Sequence, residues 1–285
     1  MYEIRKFKNS FEYVYVKNSS ASAKIALQGA HIFEFVKNAE EPLLWLSDSC
    51  EFEYTKAIRG GIPVCWPWFG MNGKLPQHGF ARTSLWEFVS AKESDADTTE
   101  LLFRLQETKE SLKLWAYRFE LLLHVKISKS LEISLTTKNR DTKEFKITQA
   151  LHSYFNISDI GDIHIEGMQD RDCFDALSQK YSIEKGAISF DSEFDRVYQG
   201  VKNPIVLVDK NRKITIKNTN SASAIIWNPW IEKSKRMSCL RDDDYLRFVC
   251  IESANAMEDF KIIKPDESYT LKALISSDVH HTPVA

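Results

Sequence analysis

From Leu112 to Thr137 the chain reads Leu-Lys-Leu-Trp-Ala-Tyr-Arg-Phe-Glu-Leu-Leu-Leu-His-Val-Lys-Ile-Ser-Lys-Ser-Leu-Glu-Ile-Ser-Leu-Thr-Thr. Alternating, β-branched and aromatic residues make it strand: a long pair across Leu112 to Ile127, then a further segment from Leu131 to Thr137. The polar run Lys138-Asn139-Arg140-Asp141 ends the stretch as a turn. The same habit recurs upstream at Tyr13 to Val16, Ala23 to Leu27, His31 to Val36, Leu43 to Leu46, Leu85 to Val89 and Leu101 to Leu105. Downstream it returns at Phe145 to Ile157, Ile205 to Val208, Ile214 to Lys217, Ala224 to Trp227, Phe248 to Glu252 and Tyr269 to Ile275. Helical spacing is confined to Ser49 to Lys56 and Glu232 to Leu240. Many strands, few helices and short turns predict an all-β chain folded as a large antiparallel sandwich. No fixed-period repeat points to a propeller or solenoid.

Composition narrows the function classes. The chain is 285 residues long, 43% hydrophobic and 27% charged, as an ordinary globular protein is. No low-complexity linker divides it, so residues 1–285 are expected to form one domain. A formal net charge of -2 gives no overall attraction to nucleic acid or anionic membrane, so neither is expected as a partner. Cysteines 50, 65, 173, 239 and 250 are scattered, as reduced thiols in a cytoplasmic protein would be. The start, Met-Tyr-Glu-Ile-Arg-Lys, lacks a secretory apolar run, and no later stretch reaches membrane-spanning length without charge.

Chemistry has a natural home between Arg59 and Arg82, Arg-Gly-Gly-Ile-Pro-Val-Cys-Trp-Pro-Trp-Phe-Gly-Met-Asn-Gly-Lys-Leu-Pro-Gln-His-Gly-Phe-Ala-Arg. Glycine and proline make this a loop, yet Trp66, Trp68, Phe69 and Phe80 exceed what a solvated loop needs. Either the aromatics line a pocket or they plug one end of a core. Arg59 and Arg82 bracket the loop, and two guanidinium forks on one anion would make a strong site. Spacing alone leaves open whether they converge or pair with surface carboxylates.

Two strands add titratable groups. Along Phe145 to Asn156, Phe145, Ile147, Leu151 and Phe155 share one face and suit the core. Lys146, Thr148, Ala150, His152, Tyr154 and Asn156 share the other, which puts an imidazole beside a phenol. In Phe248-Val-Cys-Ile-Glu252 both faces are apolar, as in a strand buried on both sides. Glu252 continues one of those faces, so it either marks the strand's end or performs a task. Gly60-Gly61 lacks the lysine and helix of a phosphate-binding loop, and no Gly-x-Ser-x-Gly elbow occurs. Asp242-Asp243-Asp244 reads as a solvated turn and His280-His281 as a tail, so no metal site is expected.

The motifs Arg-Gly-Gly-Ile-Pro-x-Cys-Trp-Pro-x-Phe-Gly and His-Gly-Phe-Ala-Arg resemble the signature of the D-hexose-6-phosphate mutarotases, or glucose-6-phosphate 1-epimerases. These are a branch of the galactose-mutarotase-like (aldose 1-epimerase) superfamily, and further matching segments lie near His152, Asp195, Trp227 and Glu252. The resemblance implies a β-supersandwich that interconverts the α and β anomers of glucose 6-phosphate without a cofactor. It implies His152 as general acid and Glu252 as general base, with Arg59, Gln77, His78, Arg82 and Asp195 as substrate contacts. The implied partner is a hexose 6-phosphate alone, bound by a monomer. Ser253, where many members have proline, and Ser238-Cys239-Leu240-Arg241 depart from the pattern and leave the local loop shape open. A mutarotase of free aldoses and a non-catalytic sugar-binding protein are the alternatives.

Overall fold

A computed structural model describes residues 1–279; the His280-His281 pair lies outside the described residues. Two eight-stranded sheets dominate, and the ladders within them are antiparallel. One runs in the order His164–Glu166, Ile205–Val208, Arg212–Thr219, Ser268–Val279, Ser130–Asn139, Phe119–Ile127, Thr98–Gln106, Glu87–Asp95. The other runs Lys180–Ile183, Asp172–Asp175, Phe194–Gln199, Ser223–Asn228, Phe248–Asn255, Gln149–Leu151, Val64–Cys65, with Tyr154–Asn156 also paired to Phe248–Asn255. A four-stranded sheet of the N-terminal residues and the pair Phe145–Ile147 with Lys261–Ile263 complete the fold.

The large sheets meet through side-chain alternation. In Phe119–Ile127, Phe119, Leu121, Leu123, Val125 and Ile127 are fully buried, while Glu120, Leu122, His124 and Lys126 are only half so. The buried set joins Leu151, Ile226, Val249 and Ile251 of the opposite sheet in one continuous apolar cluster. Each such side chain contributes about 1.5–3 kcal/mol by leaving water. The Phe248–Asn255 strand is buried at every position, so its other face carries a second cluster with Trp45, Cys65, Ala150, Tyr154 and Trp227.

Several expectations change. Lys109–Leu114 is a helix, not the start of a strand, because Thr108 and Ser111 cap its first turn reciprocally. Residues 49–56 form turns rather than a helix: buried Gln28 accepts from the Thr55 amide at 2.5 Å and donates to the Lys56 carbonyl at 2.7 Å. The second expected helix spans Trp230–Arg236. The expected strand from Phe145 breaks into three, at His152-Ser153 and at Thr148, which is drawn to the loop, its amide to the Pro67 carbonyl at 3.1 Å and its hydroxyl to the Phe69 amide at 2.9 Å. Asp244 is buried and accepts from the Arg241 amide, so the acidic turn is not wholly solvated.

Candidate active site

The ladder that pairs Leu151 with Ser253 and the one that pairs Tyr154 with Cys250 share a single register. His152 therefore falls opposite Glu252, although it sits in the short break between two strands. The backbone locks the break: the His152 amide donates to the Pro63 carbonyl at 3.0 Å and the Ile251 amide to Ser153 at 3.1 Å. The imidazole and the carboxylate stand side by side, with Nε2 3.3 Å from Oε1. Both are buried, Glu252 to 1% exposure, so Glu252 is no strand-end residue and the strand continues to Asn255.

Burial sets the charges. It pushes the Glu252 carboxyl well above the ordinary range, with the nearby Asp195 carboxylate adding to the effect and Arg82 opposing it. It holds the His152 imidazole well below its usual value, and His78, Arg82 and Arg59 push the same way. A dry site therefore favours one proton shared between the two side chains, with little net charge. Asp195 lies on the Phe194–Gln199 strand opposite Trp227, and desolvation raises it to about 6.

The Arg59–Arg82 loop does both things its aromatics suggest. Trp66 is fully buried, donates from Nε1 to Thr137 at 2.9 Å and packs edge-on against Phe80 in the main core. Phe69 instead packs on His78, and His78 meets His152 edge to face with ring centroids 5.8 Å apart. Gly79 makes the turn possible: its φ is +74°, and a Cβ there would lie 2.0 Å from the Trp66 carbonyl oxygen. His78 has a φ of 63°, and its Nδ1 accepts from the Gly70 amide at 3.1 Å, leaving the proton of the neutral ring on Nε2. Desolvation lowers its pKa to about 3, so His78 is a neutral donor.

The arginines are placed differently from each other. Arg59 donates from Nη1 to the Tyr154 hydroxyl at 3.3 Å, and its Nε is buried without a partner among the described residues. Arg82 donates to the Gln77 carbonyl at 2.8 Å, and Gln77 is exposed. No shared partner joins the two guanidinium groups among the described residues, yet both repel protons from His78 and His152. Sequence reasoning missed Trp45 and Phe248, which pack against Tyr154 with centroids 6.0 and 5.2 Å away. Both sit in runs of apolar residues that signal only core. A surface hollow of about 560 Å³ shares Trp45 with this cluster, but its lining includes neither His152 nor Glu252. Among the described residues no group of three or more His, Cys, Asp or Glu is placed to hold a metal ion.

This chain can be set beside known proteins. The aldose 1-epimerase family matches residues 13–276. A protein of Escherichia coli K12, provisionally named a glucose-6-phosphate 1-epimerase, is 36% identical over 271 residues, 93% of this chain and 90% of its own. One from Cenchrus ciliaris with the same provisional name is 34% identical over 290 residues, 96% of this chain and 87% of its own. The crystal structure of a provisionally named mutarotase from Salmonella typhimurium superposes with a TM-score of 0.92 at 33% identity, covering 98% of this chain and 94% of that one. Galactose 1-epimerase from Lactobacillus acidophilus shares the fold, with a TM-score of 0.74 at 12% identity over 99% of both chains.

Proposed function

The chain belongs to the aldose 1-epimerase family, and from that premise we propose that it is an isomerase interconverting the α and β anomers of glucose 6-phosphate. The provisional names of the relatives support the substrate class. The observation that carries the chemistry is the buried contact of His152 Nε2, in the break between two short strands, with Glu252 Oε1 on the paired strand at 3.3 Å.

Inverting an anomeric carbon needs no net proton or electron, only a proton moved from one oxygen to another. In its charged form the pair holds a carboxylate at Glu252 and an imidazolium at His152. Glu252 takes the anomeric hydroxyl proton while His152 delivers its own to the ring oxygen, and the ring opens to the aldehyde. After rotation about the C1–C2 bond the pair runs in reverse on the other face. Each placed transfer contributes about 10²–10⁴-fold. His78 presents Nε2–H as a neutral donor to a sugar oxygen, and Asp195 accepts from a hydroxyl. Arg59, with Arg82 and Gln77 at the rim, holds the 6-phosphate, so affinity gained away from C1 positions the reacting carbon.

One domain over residues 1–285 is supported by a core cluster running from Val14 to Ile275. Five free thiols suit the cytoplasm, where a phosphorylated sugar is retained. A monomer is part of the same proposal, and light scattering of the purified protein reads its oligomeric state. No helix of the described residues is long and apolar enough to cross a membrane. Comparing anomer exchange of glucose 6-phosphate and glucose tests the reading. Faster exchange of the phosphate ester is expected; preference for glucose would favour a free-aldose mutarotase, and no acceleration a binding protein.

A further inference from the structure

His152 lacks the device that ordinarily fixes a working imidazole. Such rings are oriented by a hydrogen bond at the second nitrogen, but His152 Nδ1 is buried with no partner among the described residues. Its Nε2 meets Glu252 at 3.3 Å. The tilt of the ring is therefore left to packing. Tyr154 lies parallel to it, with centroids 4.9 Å apart and planes 11° apart. Trp227 meets both rings edge-on, at 6.1 Å from each.

Tyr154 is itself held firmly. It is 2% exposed, its amide donates to the Gly61 carbonyl at 2.9 Å, and its carbonyl accepts from the Trp45 amide at 3.0 Å. At the far end of its ring the hydroxyl accepts from Arg59 Nη1 at 3.3 Å, the one side-chain hydrogen bond Arg59 makes among the described residues. Gly61 follows Arg59 by two positions, so backbone and side chain of Tyr154 both tie to the same turn. One aromatic side chain thus touches the group that would hold the phosphate and the group that would move the proton.

Resting on the function proposed above, we infer that Tyr154 is a positioning residue: its hydroxyl presets Arg59 for the phosphate, its ring sets the His152 imidazole, and anion binding at one end is felt at the other. Parallel stacking suits this, since a sideways shift of the phenol changes its overlap with the imidazole.

Two variants of the full chain separate the parts. Tyr154→Phe keeps the ring and removes the hydroxyl; Tyr154→Leu removes both. In Tyr154→Phe, KM for glucose 6-phosphate should rise roughly 2- to 10-fold, the worth of one net hydrogen bond, with a smaller change in the KM for glucose. In Tyr154→Leu, kcat should fall about tenfold or more with both sugars, on the scale of a misplaced proton-transfer group. Inorganic phosphate should shift the ¹⁵N imidazole resonances of His152 in the wild type and fail to do so in Tyr154→Phe. Equal KM values for wild type and Tyr154→Phe, with the same phosphate response, would overturn the inference; a lowered melting temperature alone would assign Tyr154 to packing. If Tyr154→Leu does not fold, the Tyr154→Phe measurements decide. If the wild type accelerates neither sugar, the proposed function fails, while the phosphate response of His152 still decides the coupling.

Discussion

The two faces of the Phe248–Asn255 strand are equally buried and chemically opposed. On one, Val249 and Ile251 enter the core between the large sheets. On the other, Phe248, Cys250 and Ala254 belong to the second cluster, and Glu252 sits between Cys250 and Ala254. The first face gains stability from every methylene it hides. The second hides an ionisable carboxyl whose Oε2 has no partner among the described residues, which costs stability. On the function proposed above, one strand separates a surface shaped by folding from one shaped by chemistry, and substitutions on the two should fail in different ways.

The largest effect is expected on the chemical face. Glu252→Gln should lower turnover by about 10²–10⁴-fold, with sugar affinity kept and melting temperature unchanged or raised, because the buried site no longer holds a group that can ionise. Steady-state kinetics and calorimetry on the same sample check this; unchanged turnover would remove Glu252 from the reaction. On the opposite face Ile251→Ala should cost about 2–5 kcal/mol of unfolding free energy, with kcat per folded molecule retained. Denaturant titration reads the loss, and a large fall in kcat would mean the faces are not independent.

A smaller effect belongs to the rim. Arg82→Ala should weaken glucose 6-phosphate by about 10- to 100-fold, the worth of a charge-assisted hydrogen bond, and leave glucose unaffected. Calorimetric titration of both sugars checks it, and equal losses would refute the phosphate contact. The mildest test is a displacement along the pH axis. In the reaction proposed above, His152 and Glu252 together carry one proton; a second must go onto His152, which burial holds below its ordinary 6.5. The acid limb of kcat/KM should therefore lie below that value, and a limb at or above it would contradict the dry site.

Much of this was legible in the residues. Strands with strong alternation, such as Phe119–Ile127, were visible because one face is fully apolar. Phe194–Gln199, which carries Asp195, was not, since Phe-Asp-Arg-Val-Tyr-Gln mixes charge with aromatic groups along both faces. The same holds for the edge strand Lys180–Ile183, exposed throughout, and for polar Tyr2–Lys6. Glu252 was legible as a carboxylate on an apolar face. That His152 works with it came from the family resemblance alone, because a register across about a hundred residues of intervening chain leaves no trace in local spacing. The site arginines were visible, but not that Arg59 turns to Tyr154 while Arg82 folds back on Gln77, since both bonds depend on tertiary placement.

The central claim is that His152 and Glu252 act as one unit that trades a proton. Exchange NMR of glucose 6-phosphate anomers with wild type, His152→Gln, Glu252→Gln and the double variant tests it most directly. Removing either group should cost nearly as much as removing both, as for residues that work together. Costs that add, each variant keeping its share of the acceleration, would mean the two groups work apart.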